Sequence, residues 1–73
     1  MDYVDRLTAL RQDNDITQDT IGQVLGCAQT AVSKYELRQN RYAIDDLIKL
    51  CEFYQVSADY ILGLPKGLDY PER

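Results

Sequence analysis

The stretch TQDTIGQVLGCAQTAVSKYE, residues 17–36, decides the fold. Thr17 has the chemistry of a helix N-cap, because its hydroxyl can accept from a free backbone N–H, and Asp19 places a negative charge in the first turn. Ile21, Val24 and Leu25 share one side of a helix over about 18–25, with Gly22 beside them. A glycine inside a helix costs about 1 kcal/mol relative to alanine, so Gly22 is expected where another helix comes close. Gly26 then ends the helix in the manner of a C-cap glycine.

A further helix follows over 28–36. With Gln29 at zero and 100° per residue, Ser33 falls at about 40°, Thr30 at about 100° and Lys34 at about 140°. Ala28, Ala31, Val32 and Tyr35 fall between about 200° and 300°. One side of this helix is therefore small and apolar, and the other carries Gln, Thr, Ser and Lys. Such a face is either ordinary solvated surface or a surface that reads a partner.

Working outward, Val4, Leu7, Leu10 and Arg11 follow one helical face and predict a helix over 3–12, broken at Asn14-Asp15. Beyond a loop at 37–43, Ile44, Leu47, Ile48, Cys51 and Tyr54 form the inward side of an amphipathic fourth helix. Gln55-Val56 is a short break. Ser57 caps a fifth helix at 58–62, with Asp59 in its first turn, and Gly63 and Pro65 end it. Tyr35, Tyr54 and Tyr60 lie at apolar-face positions and are expected in the core. No strand pattern competes. The expectation is an all-α fold of five short helices around one core, over residues 1–64, with 65–73 as a short C-terminal tail.

A chain of 73 residues has room for one small domain, and 45% hydrophobic with 27% charged residues is ordinary for a globular protein. No apolar run approaches the ~18 residues of a membrane span. The N-terminus shows no basic, apolar, small-residue progression, so a cytoplasmic location and no membrane partner are expected. There is no histidine, and Cys27 and Cys51 are too few for a zinc site or a disulfide scaffold. They read as small hydrophobes. No nucleophile is paired with a base, and no Gly-rich phosphate loop is present. Neither an enzyme, a metal, a cofactor nor a small-molecule ligand is expected.

The net charge of −4 argues against a phosphate partner at first sight. Its distribution argues the other way. Lys34, Arg38 and Arg41 face Glu36 alone between residues 28 and 42, a local balance of +2, so the remainder carries −6.

Two helices of about two turns, joined by a Gly-containing turn, make a helix-turn-helix, in which the second helix enters a major groove. The residues add a more specific likeness. Leu10-Arg11, Thr17-Gln18, Ile21-Gly22, Leu25-Gly26, Ser33-Lys34-Tyr35-Glu36, LIKLC at 47–51 and VSADYILG at 56–63 stand in the order and spacing of a known pattern. The chain resembles the lambdoid phage repressor and Cro family of Xre-type regulators, over about residues 4–64. The resemblance implies a lambda-repressor-like domain that binds double-stranded DNA through the helix at 28–36.

On that resemblance, Gln29, Thr30, Ser33 and Lys34 are the candidate base contacts. Gln29 can offer both a donor and an acceptor, which suits adenine N6 and N7; Thr30 suits a thymine methyl, and Lys34 guanine or a phosphate. Gln18, Arg38, Asn40 and Arg41 are the candidate backbone contacts. Arg11 and Glu36 correspond to a family ion pair and are assigned a structural role. Three positions depart from the pattern: Ala28 cannot cap, Arg38 stands where glycine is common, and Ala43 replaces a frequent proline. Base contacts are worth about 1–3 kcal/mol each, so selectivity points to a homodimer on a two-fold operator. Leu62, Leu64 and Leu68 are the candidate dimer surface, and repression by occlusion is the simplest mechanism. The competing expectation is a protein-interaction module on the same fold, such as an antitoxin or an anti-repressor partner.

Overall fold

The computed structural model describes residues 2–64. Five helices follow in order: α1 (Tyr3–Asp13), α2 (Gln18–Leu25), α3 (Gln29–Glu36), α4 (Ile44–Tyr54) and α5 (Ala58–Leu62). No strand occurs among the described residues. The expected tail at 65–73, with Pro65 and Leu68, lies outside them.

Local side-chain chemistry sets most of the helix ends. Thr17 accepts from the Thr20 N–H at 3.1 Å, and Ser57 accepts from the Tyr60 N–H at 3.1 Å. Gly26 and Gly63 close α2 and α5 in the left-handed region, at φ 74° and 70°. At the start of α1, Asp2 and Asp5 form a reciprocal capping box. Helix α1 runs one residue beyond the expected end and stops at Asn14. Helix α3 begins at Gln29 rather than Ala28, because Ala28 has extended backbone and serves as the N-cap without a side-chain bond. The Ala43 N–H is met by Asp46 Oδ2 at 3.1 Å, which supports the start of α4.

One core joins all five helices. Leu7, Ile21, Leu25, Val32, Leu50 and Ile61 are buried together, and Val4 of α1 is also buried. Val32 is the one buried residue of α3 and pins that helix from below. The expectation for α4 is corrected: Leu50 is its buried residue, whereas Ile44 is 76% and Ile48 51% exposed. The apolar arc of α4 is wide, and the helix turns its Leu47–Leu50–Tyr54 side inward. Tyr60 is likewise not core but exposed, since a five-residue helix capped at Ser57 turns Ile61 inward instead. The Arg6 guanidinium lies 6.0 Å from the Tyr60 ring centroid.

Gly22 is needed for the α2–α3 corner. A Cβ there would stand 2.6 Å from the Cys27 carbonyl oxygen. The close neighbour is the backbone of the turn and the start of α3, rather than the flank of a second helix.

Tyr42 and Tyr54 lie half-buried beside the core, and burial raises the phenol of each; Tyr54 is pushed up to about 12. A phenol raised in the folded state stabilises the fold below its unfolded value near 10, and that contribution is lost as pH rises through the folded value. Stability is therefore expected to fall between about pH 10 and 12, with tyrosinate absorbance from Tyr54 appearing together with loss of helix in circular dichroism. Full titration of Tyr54 in a fully helical protein at pH 10 would contradict this.

Candidate nucleic-acid interface

The four polar residues of α3 are held by the helix that Val32 anchors. Gln29, Thr30 and Lys34 are exposed, and Ser33 is half-buried. On the opposite side, Tyr35 stacks on Tyr42 at 4.6 Å between ring centroids, with Tyr3 edge-on to Tyr42 at 6.4 Å. The helix is thus fixed along its apolar side and open along its polar one.

A chain of side-chain hydrogen bonds runs into this face from below. Arg11 grips Glu36 with two parallel bonds, Nε to Oε2 at 2.7 Å and Nη2 to Oε1 at 3.0 Å, and its Nη1 donates to the Ile16 carbonyl at 3.0 Å. The pair is largely buried, with 16% and 10% of the two side chains exposed. Bidentate bonding to Glu36 holds the guanidinium above its ordinary value, so it stays charged. Gln18 Nε2 donates to Glu36 Oε1 at 2.9 Å, and Gln29 Nε2 donates to Gln18 Oε1 at 2.9 Å.

The direction of these bonds follows from the carboxylate. An ionised carboxylate only accepts, so Gln18 must turn its amide nitrogen to Glu36. Its oxygen is then left for Gln29, which must turn its own nitrogen to Gln18. Gln29 keeps a free carbonyl oxygen and a second N–H, one acceptor and one donor side by side at the N-terminus of α3. The major-groove edge of adenine offers the complement, a donor at N6 and an acceptor at N7.

The coupling of Gln18 to Gln29 was not legible in the sequence. Both are first residues of their helices, immediately after an N-cap, and that shared position is the signal that points to it. Gln18 is also half-buried, held between Glu36 and Gln29.

The loop after α3 is folded back onto the end of the helix. The N–H groups of Gln39 and Asn40 both reach the Lys34 carbonyl, at 2.9 and 3.3 Å. Asn40 and Arg41 are exposed beside Lys34's end of the helix. Arg38 takes the left-handed backbone, φ 63°, that glycine would take at this point. Its side chain turns to α1, where Nη2 bridges Asp2 Oδ1 and Asp5 Oδ1, each at 2.9 Å.

Among the described residues there is no group of three or more His, Cys, Asp or Glu placed to hold a metal ion. No described helix is long and apolar enough to cross a membrane.

A polar helix presented by a short glycine turn, pinned by one valine and backed by a part-buried ion pair, defines a helix-turn-helix domain of the phage-repressor kind. The chain belongs to the helix-turn-helix family, whose model matches residues 7–61. It is 36% identical over 67 residues to the uncharacterized HTH-type transcriptional regulator YobD of Bacillus subtilis (strain 168), covering 92% of this chain. The chain spans 60% of the length of that relative. The fold matches the P22 c2 repressor, solved in complex with synthetic operator 9T in the presence of Tl+, with a TM-score of 0.73 and 27% identity. That match covers 85% of this chain and 94% of the repressor chain.

Proposed function

We propose that this chain is a sequence-specific double-stranded-DNA-binding transcriptional regulator, acting in the cytoplasm as a repressor that occludes its operator. The observation that carries the proposal is Gln29: exposed at the head of α3, with its amide direction set by Gln18, Glu36 and Arg11. A solvated surface glutamine has no need of such a chain. The structural neighbour was solved on operator DNA, which supports the same assignment.

Gln29, Thr30, Ser33 and Lys34 are assigned to base edges. Gln18 is assigned a double part, positioning Gln29 and offering the N-terminus of α2 to a phosphate. Asn40 and Arg41 extend the phosphate contacts past Lys34. Arg38 shares their loop, but its side chain is bonded to Asp2 and Asp5 at the start of α1. Binding is by contact alone, with no catalysis and no cofactor. One helix reads few base pairs, so the active form is a homodimer on half-sites about one helical turn apart. Leu62 and Leu64, 41% and 45% exposed, supply the described part of its interface. Leu68 falls outside the described residues.

A salt titration tests the DNA assignment. Duplex affinity should fall with a negative slope of log K against log [salt]. No duplex binding at low salt, or binding without that slope, would favour the protein-interaction module. Gln29→Ala should cost about 1–3 kcal/mol of discrimination at one base pair per half-site and leave affinity for mixed-sequence DNA nearly unchanged. A uniform loss on all sequences would place Gln29 on a phosphate instead.

A further inference from the structure

Arg38 is the one cation of the 28–42 segment whose charge is answered twice. Its Nη2 bridges Asp2 and Asp5, while Lys34 and Arg41 make no ion pair among the described residues. The two carboxylates are fixed independently of Arg38. Asp2 Oδ1 accepts from the Asp5 N–H at 3.0 Å, and Asp5 Oδ2 accepts from the Asp2 N–H at 3.3 Å, as the capping box of α1. Arg38 thus docks on a preformed anionic group. The left-handed backbone at Arg38 sets the direction in which its side chain leaves the loop.

Around this contact lies an open cleft of about 390 Å3, lined by Asp2, Tyr3, Val4, Arg38, Asn40 and Arg41. The cleft thus joins the N-terminus of α1 to the loop that carries the proposed phosphate contacts. An arginine there would ordinarily serve a phosphate. Moving it to one exchanges two charge-assisted bonds for others of the same kind and leaves two carboxylates unpaired beside an incoming backbone of like sign.

We propose that Asp2 and Asp5 act as an intramolecular phosphate substitute, which holds Arg38 off the duplex and keeps affinity below what the charge of this loop would allow. The inference rests on the DNA-binding assignment above. It makes the acidic start of α1 an affinity-setting element rather than incidental surface charge.

The test is a double-mutant cycle on the full chain, read by fluorescence anisotropy with a short mixed-sequence duplex at several salt concentrations. Asn caps helices as well as Asp does, so Asp2→Asn with Asp5→Asn leaves α1 its N-cap. That pair is expected to tighten binding about five- to tenfold at ~0.1 M salt and to steepen the salt slope by about one, the signature of one added phosphate contact. Arg38→Gly suits the left-handed backbone and serves as the second background. There, the same Asp substitutions should change affinity less than about threefold, the residue of removing two screened charges. Equal effects in both backgrounds, or no tightening in the first, would overturn the proposal. So would a tenfold loss on Arg38→Gly alone, which would mean that Arg38 already holds a phosphate. If thermal melting shows the double Asp variant unfolded, Asp5→Asn alone carries the same cycle, with a smaller effect of the same sign expected and a null effect counting against the proposal. Failure of the unaltered protein to bind any duplex at low salt would remove the DNA assignment itself, and this proposal with it.

Discussion

Glu36→Ala is expected to destabilise the protein by about 3 kcal/mol, at the lower end of the ~3–5 kcal/mol that breaking one side of a buried ion pair costs. Arg11 would keep its bond to the Ile16 carbonyl but lose both bonds to the carboxylate, leaving a largely buried cation without a counter-charge. Denaturant unfolding reads the loss as a shifted midpoint with an unchanged slope. A second effect follows on the polar face. Gln18 loses its acceptor, so nothing dictates which end of its amide meets Gln29. If Gln29 reads a base as proposed, discrimination at that position should weaken in the same variant. The two effects can be separated. Replacing both partners, Arg11→Met with Glu36→Leu, removes the charges together and should recover stability to within about 1 kcal/mol. Discrimination should stay impaired, because Gln18 still lacks its acceptor. Recovery of both would show that the ion pair acts on the reading face only through stability.

Leu50→Ala is expected to cost about 2–5 kcal/mol. At ~0.05–0.15 kcal/mol per residue, a domain of this size holds roughly 4–11 kcal/mol in all, so at the low end a loss of about 4 kcal/mol would leave the variant half-unfolded. Leu50 is 1% exposed and belongs to the core cluster that joins all five helices, so truncation is expected to leave a cavity there. Ile44→Ala and Ile48→Ala, on the exposed side of the same helix, should change stability by no more than about 0.5 kcal/mol. Denaturant unfolding of the three variants decides between two facings of α4. If Ile44 or Ile48 proved more costly than Leu50, the helix would be rotated relative to the structure described.

That contrast marks where the sequence stops being legible. Helix ends could be read because their causes are local: Thr17 and Ser57 cap within three residues, and Gly26 and Gly63 supply left-handed backbone where each helix stops. The facing of α4 could not. Ile44, Leu47, Ile48, Leu50, Cys51, Phe53 and Tyr54 spread apolar surface around most of its circumference, and only the position of its neighbours selects Leu50. Tyr60 failed for a related reason, since a helix of five residues has too little period to show a face.

The residues of the candidate site were legible as residues, and the Arg11–Glu36 pair through the family resemblance; the other connections were not. Gln29, Thr30, Ser33 and Lys34 share an arc because they lie on one helix. The bond from Gln18 to Gln29 spans eleven positions and depends on how α2 and α3 cross. The reach of Arg38 to Asp2 spans 36 positions and depends on where α1 begins in space. Neither distance is written in a periodicity. Gly22 shows the intermediate case. Its cost inside a helix marked a close approach, but only the structure shows that the neighbour is the Cys27 carbonyl.

The acidity of the chain is compatible with the proposed phosphate partner through pairing as well as segregation. Glu36, the one acid within the reading segment, is neutralised by Arg11 below the surface. Lys34 and Arg41 carry the uncompensated charge of that segment, while Arg38 is held by Asp2 and Asp5. A binding face of this kind supplies modest non-specific attraction. On the proposed function, its selectivity comes from the base-edge contacts assigned to α3.

Selection of binding sites from a random pool of duplexes by the purified protein tests that claim most directly. An enriched two-fold-symmetric site is expected, with one base pair in each half-site losing its preference when the selection is repeated with Gln29→Ala. A pool that shows no enriched sequence would contradict it.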